Sequence, residues 1–199
     1  KIFIVVGKYR EIIETTLQKY ISLEHIVFVD QPEALGTGHA LQCAIPELSL
    51  LNEKDQLLVL SGDVPLLKLS TMRSMVKMKQ SANLMTTFYK DPKGYGRIVT
   101  ENGKFQKIVE EKDCDEREKQ IQIINAGVYS FDIDLLCKYL PKLSNKNAQN
   151  EYYLTDIFEI ILQEETITIG MMQLPSHKNM ELTGINTKEQ LQELESKLK

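Results

Sequence analysis

The sequence predicts an α/β fold, and two observations carry that expectation. Short apolar, β-branched runs alternate with segments of helical periodicity through the first 90 residues, and from Tyr95 onward the texture changes to hairpins and polar loops. Residues 2–6 form a continuous apolar run ended by Gly7, the pattern of a strand buried on both faces. Ile12, Ile13, Leu17 and Ile21 then fall on one helical face, and a second apolar run covers residues 26–29. Strand, helix, strand is a βαβ unit, which builds parallel sheet through right-handed crossovers. A helix is expected to start near Thr37 and to stop before Pro46. Residues 57–60 read as another buried strand, Ser70 and Thr71 as caps for a helix carrying Met72, Met75 and Val76, and residues 84–89 as a strand.

In the second half, residues 97–100 and 105–109 flank Glu101-Asn102-Gly103-Lys104, and Asn-Gly between strand-like runs is the strongest short hairpin signal. Residues 113–119 are a charge run, read as a solvated loop. Residues 121–124 and 128–131 read as two strands interrupted at Asn125-Ala126-Gly127. A short helix follows over 135–140, then a polar loop over 145–150. Thr155 is a candidate cap for a helix holding Ile157, Phe158 and Ile161, and residues 166–174 read as a late strand. The last helix opens on Thr187-Lys188-Glu189-Gln190, a capping box.

Composition narrows the function classes. The chain has 199 residues, with 24 Lys+Arg against 28 Asp+Glu and a net charge of −4. That length suits one sizeable α/β domain, or at most two small ones. A weakly acidic balance argues against nucleic acid as a partner, which calls for a basic face. No apolar run approaches the roughly 20 residues of a membrane span, so no membrane partner is expected. The run at residues 2–6 is too short for a secretory signal. Cys43, Cys114 and Cys137 are odd in number, lack metal-ligand spacing, and read as free thiols of a reducing, cytoplasmic compartment.

Several segments are candidates for chemistry. Leu35-Gly36-Thr37-Gly38-His39 follows a strand and opens a helix, where glycines let backbone N–H groups approach an anion or a flat ring. Two close glycines also make an ordinary tight turn. Gln31 offers a donor and an acceptor, which suits a base edge. Ser61-Gly62-Asp63 lies at the carboxyl end of a strand, where open α/β sheets bind ligands, and Asp63 can hold a divalent cation or simply cap its own turn. Gly94-Tyr95-Gly96-Arg97 precedes the hairpin, Glu110 ends it, and Asn125 breaks the next strand pair. Glu151-Tyr152-Tyr153-Leu154-Thr155 puts an acid, two rings and a cap together. Asn186 is a second oxygen donor for the Asp63 cation or an everyday turn residue. His25, His39 and His177 form no triad or metal pattern, and no carboxylate pair stands out as acid and base.

The order of these segments is more specific than any one of them. Gln31, Leu35-Gly36-Thr37-Gly38-His39-Ala40, Gly62-Asp63-Val64-Pro65-Leu66, Asp91-Pro92-Lys93-Gly94-Tyr95-Gly96-Arg97-Ile98, Ile108-Val109-Glu110, Ile124-Asn125-Ala126-Gly127, Asn147 through Asp156, and Gly184-Ile185-Asn186 come in series. The series resembles the uridyltransferase domain of the bacterial bifunctional N-acetylglucosamine-1-phosphate uridyltransferase/glucosamine-1-phosphate acetyltransferases, over nearly the whole chain. The resemblance implies a Rossmann-like, doubly wound mixed sheet of the nucleotide-diphospho-sugar transferase type with an inserted β-hairpin sugar-binding part. It divides a single domain over 1–199 into a nucleotide half, 1–90, and a sugar half, 91–199. It implies UTP and N-acetylglucosamine 1-phosphate as substrates, UDP-N-acetylglucosamine and pyrophosphate as products, and Mg²⁺ as cofactor. On the same ground Gln31, Gly36, Thr37, Gly62 and Asp63 would contact the nucleotide, and Asp63 and Asn186 would hold the magnesium and act as the catalytic pair. Gly96, Glu110, Asn125, Tyr153 and Thr155 would line the sugar pocket.

Two departures shape further expectations. The family opens with a strand, a glycine-rich turn and a downstream lysine, whereas this sequence begins at what resembles the second strand, so a βα unit of about 30 residues or more is expected to be missing. Nothing here encodes the acetyltransferase part, so a monomer without acetyl transfer is expected. Two other readings remain: a related nucleotidyltransferase with another sugar or nucleotide, and a non-catalytic sugar-nucleotide-binding fragment.

Overall fold

The computed structural model describes residues 1–198. Strand β1 (Ile2–Val6) pairs in parallel with β2 (Ile26–Asp30) across helix α1 (Arg10–Leu17), and these two strands form a sheet of their own. Helix α2 (Thr37–Leu48) leads to β3 (Gln56–Val59), α3 (Leu69–Val76) and β4 (Ala82–Phe88). The hairpin β5 (Arg97–Glu101) and β6 (Lys104–Val109) precedes the ten-residue β7 (Ile123–Asp132). Helices α4 (Ile133–Tyr139) and α5 (Asp156–Glu164), strand β8 (Gly170–Leu174) and α6 (Lys188–Leu198) complete the order.

The six-stranded mixed sheet runs β6-β5-β7-β4-β8, with β3 also on β7. One edge of β7 takes β4. The other is divided: β5 meets β7 at Ile124, near its start, while β3 covers Tyr129 to Asp132 at its end. Asn125, Ala126 and Gly127 lie at this fork. The structure therefore replaces the two expected strands by one strand with a register shift opposite Leu84 and Thr86, and Gly127 takes φ 69° there. A bulge re-aims side chains without ending the strand, which is why a polar interruption reads as a break in sequence.

Each face of the sheet carries a core. On one side Leu84, Phe131 and Ile98 pack with Leu48 of α2, Leu136 of α4 and Phe158 of α5. On the other, Met85 and Val128 pack with Met75 of α3, Leu174 and Leu182. Neighbours Leu84 and Met85 serve opposite cores, so the centre of β4 is apolar without alternation, while the buried Asn83 and Thr87 on either side are hydrogen-bonded.

Three local expectations are corrected. Helix α2 continues through Pro46 to Leu48. Proline removes one N–H near the helix end, and burial of Leu48, 1% exposed, outweighs that loss. Ser70 and Thr71 do not cap α3 as expected: its N-cap is Lys68, which makes no side-chain cap. Ile12, read as part of an apolar face, is 66% exposed, and α1 buries none of its residues. The Asn102-Gly103 turn has φ 50° and 74°, and in the capping box Gln190 Oε1 accepts from the N–H groups of Asn186 and Thr187 while Thr187 Oγ1 accepts from Gln190 N–H. Both follow the sequence reading.

Candidate active site

The fork in β7 gathers the predicted residues into neighbouring groups. The Asn125 N–H donates to the Gly96 carbonyl at 2.8 Å, which ties the loop before β5 to the bulge. A side-chain carbon on Gly96 would sit 3.1 Å from Ile108 Cγ2, 3.3 Å from Glu110 Oε2 and 3.5 Å from Asn125 Cβ, so only glycine leaves these groups undisturbed. The Thr155 hydroxyl donates to Glu110 Oε1 at 2.8 Å, and does not cap α5. Asn125 is held in turn: its Nδ2 donates to the buried Tyr129 hydroxyl at 2.7 Å, and its Oδ1 accepts from Gly127 N–H at 3.2 Å. Gly96, Glu110, Asn125 and Thr155 thus form one polar cluster.

Tyr153 stands one step away. It is 6% exposed, and its hydroxyl donates to Asp113 Oδ2 at 3.2 Å, while Asp113 Oδ1 accepts from Ala148 N–H. Its hydroxyl joins the loop after β6 to the polar loop before α5.

The Leu35–His39 segment is clamped against 151–154. Leu35 carbonyl accepts from Tyr152 N–H at 2.8 Å, Gly38 N–H donates to Tyr152 carbonyl at 2.7 Å, and Thr37 Oγ1 accepts from Leu154 N–H at 3.2 Å. Gly36 has φ 111°, and a side-chain carbon there would lie 2.6 Å from the Tyr152 carbonyl oxygen. Both glycines therefore serve close backbone approach between the chain's two halves. The Gln31 carboxamide nitrogen lies 3.1 Å from both the Gly36 carbonyl oxygen and His39 Nδ1. Its donor half is occupied, and its carbonyl oxygen has no partner among the described residues.

The Asp63 loop meets the segment just before Asn186, although 123 positions separate those two residues in sequence. The Ile185 N–H donates to the Asp63 carbonyl at 2.8 Å, and a side-chain carbon on Gly184 would lie 3.6 Å from Asp63 Oδ2. Both side chains are exposed, and neither the Asp63 carboxylate nor the Asn186 carboxamide hydrogen-bonds among the described residues. Gly62 has open space where a side chain would go. This corner adjoins the bulge: a side-chain carbon on Gly127 would sit 3.3 Å from Ser61 Oγ.

The two predicted ligands would offer one carboxylate and one neutral amide, both through oxygen. No cluster of three His, Cys, Asp or Glu suited to a metal occurs among the described residues. Such a pair cannot cage an ion alone. It fits a hard divalent cation that keeps water and ligand phosphates in its remaining positions.

The sequence reading assigned no role to four residues here. Arg97 is 2% exposed; its guanidinium pairs with Glu111 at 2.6 Å and donates to the Tyr95 carbonyl, pinning the Gly94–Arg97 loop. Asp113 anchors Tyr153, and Tyr129 anchors Asn125. Asp156 opens α5 beside Thr155, and its carboxyl is pushed up to about 6 by burial first and then by the charges of Glu110, Glu159 and Asp113. Burial also raises Glu110, against the opposing hydrogen bond from Thr155 and with the help of Asp113. Only the acids' convergence could have flagged them, and that is a tertiary property.

A stability change with pH follows. The folded state holds the Asp156 proton more tightly than the unfolded chain. Its contribution is therefore complete below about pH 4 and lost as the pH rises through 6. Asp156→Asn should raise the melting temperature by about 2–4 °C at pH 7.5, after discounting the shift for partial exposure, and should change little at pH 4. Equal gains at both pH values would contradict this charge account.

A family model for nucleotidyl transferases matches residues 1–175. The chain belongs to the nucleotidyl transferase family. It is 38% identical over 201 residues to an Acanthamoeba polyphaga mimivirus protein named as a UDP-N-acetylglucosamine pyrophosphorylase, covering 98% of this chain and 78% of that one. It is 40% identical over 198 residues to the bifunctional protein GlmU of Clostridium perfringens strain SM101, and 41% identical over 182 residues to that of Acinetobacter baumannii strain AYE. This nucleotidyltransferase spans 41% and 38% of the length of those bacterial relatives. A solved Bacillus anthracis structure assigned as a glucose-1-phosphate thymidylyltransferase superposes with a TM-score of 0.63 at 18% identity, covering 98% of this chain and 75% of that one. The fold is that of the nucleotide-diphospho-sugar transferases. No helix of the described residues is long and apolar enough to cross a membrane.

Proposed function

We propose that this nucleotidyltransferase joins UTP to N-acetylglucosamine 1-phosphate, releasing pyrophosphate and forming UDP-N-acetylglucosamine, with Mg²⁺ at Asp63 and Asn186. The observation that carries the reading is the fork in β7, where the Asp63–Asn186 corner and the Gly96–Glu110–Asn125–Thr155 cluster lie side by side. The names of the viral and bacterial relatives support the same substrate class.

In this reading a phosphate oxygen of the sugar phosphate attacks the α-phosphorus of UTP. The bond from that phosphorus to the bridging oxygen breaks, and pyrophosphate leaves with the electron pair. Such chemistry calls for positioning and charge neutralisation rather than a protein nucleophile or base. The bound cation supplies neutralisation of the phosphate oxygens. Gln31, with its donor half engaged, presents only an acceptor, which suits an imide N–H such as that of uracil. Gly62, open to solvent, lets a ligand approach the backbone. Glu110, Asn125 and Thr155 offer acceptors and donors to sugar hydroxyl and N-acetyl groups, with Tyr153 bracing their rim. A site built for such bonds rejects an analogue lacking them, because its buried polar groups are then unpaired.

The test is pyrophosphate release with N-acetylglucosamine 1-phosphate against glucose 1-phosphate. The acetylated sugar should be preferred by about 10²-fold or more. Equal rates would overturn the sugar assignment, and tight binding of UDP-N-acetylglucosamine without any pyrophosphate release would favour the binding-module reading.

A further inference from the structure

Glu181 lies on the 3₁₀ turn Ser176–Leu182 and is 3% exposed, yet no step above uses it. Its Oε2 accepts from the Thr71 hydroxyl at 2.6 Å and from the Lys68 backbone N–H at 3.2 Å. The Lys68 ammonium lies 4.0 Å from Oε1. These donors belong to the first turn of α3, whose N-cap, Lys68, has no capping side chain. A carboxylate from a distant turn instead engages the Lys68 N–H and the Thr71 hydroxyl there. Burying a carboxylate is costly unless it is well bonded; here two donors on Oε2 and the positive end of a helix offset part of the cost, while Oε1 is buried without a hydrogen-bond partner.

The same carboxylate makes a joint. Helix α3 directly follows the loop carrying Gly62 and Asp63. Glu181 lies five positions before Asn186. Between them, Leu182 packs with Leu67 and Met75, and Ile185 N–H binds the Asp63 carbonyl. Three anchors, at 181, 182 and 185, therefore tie one largely buried segment to the exposed Asp63 loop and the start of α3, and Asn186, itself exposed, is the first residue beyond the last of them.

We propose that Glu181 is a positioning residue: through Thr71 and Lys68 it holds the 181–186 segment so that Asn186 stays in register with Asp63. The inference rests on the cation seat proposed above. Glu181 is itself buried and engaged by Thr71 and Lys68, so in this reading it acts through the segment rather than on a ligand.

Two measurements by nuclear magnetic resonance test it. Hydrogen exchange at the Ile185 amide reads the joint with no ligand present. Glu181→Leu should speed that exchange about tenfold or more while the β5–β6 hairpin amides keep their rates. Glu181→Gln, which retains an oxygen acceptor for both donors, should stay within about twofold of the parent rate. Thr71→Val, which removes one donor and keeps the side-chain shape, should fall between, and decides the matter where Glu181→Leu fails to fold. An unchanged Ile185 rate in the variant that folds overturns the joint. The second measurement is broadening of the Gly184 and Asn186 amides by Mn²⁺ in the presence of UDP-N-acetylglucosamine. Asp63→Asn should abolish the broadening, and the Glu181 or Thr71 variant should need about tenfold more Mn²⁺ to reach it. Absence of broadening in the parent protein overturns the cation seat and the role of Glu181 toward it. Loss in Asp63→Asn with an unshifted titration in the Glu181 and Thr71 variants overturns the role of Glu181 alone.

Discussion

Asp63→Asn is expected to lower cation-dependent pyrophosphate release by about 10³-fold or more while leaving the melting temperature within about 1 °C of the parent. The two halves of this expectation have separate grounds. Asp63 brings the only formal charge of the proposed cation seat, and phosphoryl transfer depends on neutralising charge that spreads over the phosphate oxygens. The substitution keeps the size of the side chain and removes that charge. Stability is spared because the carboxylate is exposed and makes no hydrogen bond among the described residues, and the bond to Ile185 comes from the Asp63 backbone. Steady-state turnover over a range of Mg²⁺ concentrations, with a thermal melt beside it, reads both. Parent-like turnover at low Mg²⁺ would remove Asp63 from the mechanism.

Gly36→Val should act in the opposite sense, through the fold. A side-chain carbon at this position would meet the Tyr152 carbonyl oxygen at 2.6 Å and the Tyr152 nitrogen at 2.9 Å, both backbone atoms, and φ is 111°. Neither neighbour is a flexible side-chain end, so relief requires the 35–38 and 151–154 segments to part. That movement breaks the bonds from Tyr152 N–H to Leu35, from Gly38 N–H to Tyr152 and from Leu154 N–H to Thr37. Backbone strain and overpacking together cost about 3 kcal/mol or more, a fall in melting temperature of roughly 6–12 °C for a chain of this size. A melt within 2 °C of the parent would show that the two segments are not rigidly joined. This glycine is then a seam residue first, and any nucleotide contact proposed for its backbone depends on the seam that holds it there.

The elements differ in how far residue order alone reveals them. The centre of β4 is legible because Leu84 and Met85 face two different cores, and the Asn102-Gly103 hairpin because its turn demands positive φ at two successive positions. The Thr187–Gln190 capping box is legible because its partners lie three residues apart. Local rules suffice wherever cause and effect lie within one turn or one strand. They fail at Pro46, where helix α2 runs on because Leu48 is buried by distant residues, and at Asn125–Gly127, where a bulge keeps one strand continuous across a polar gap.

The site follows the same division. The family resemblance carried by motif order was enough to identify the kind of fold, and it proposed Gln31, Asp63, Glu110, Asn125, Thr155 and Asn186 as a set. Folding alone assigned their partners: Ile185 to Asp63, Thr155 to Glu110, Tyr129 to Asn125, and Glu181 to the start of α3. It also raised the Asp156 carboxyl and turned Gly36 and Gly38 into contacts between the two halves. Residue types declare which donors, acceptors and charges exist, because those are properties of single side chains. Distance, burial and mutual charge belong to pairs, and pairs far apart in sequence acquire them only when the sheet brings their strands together.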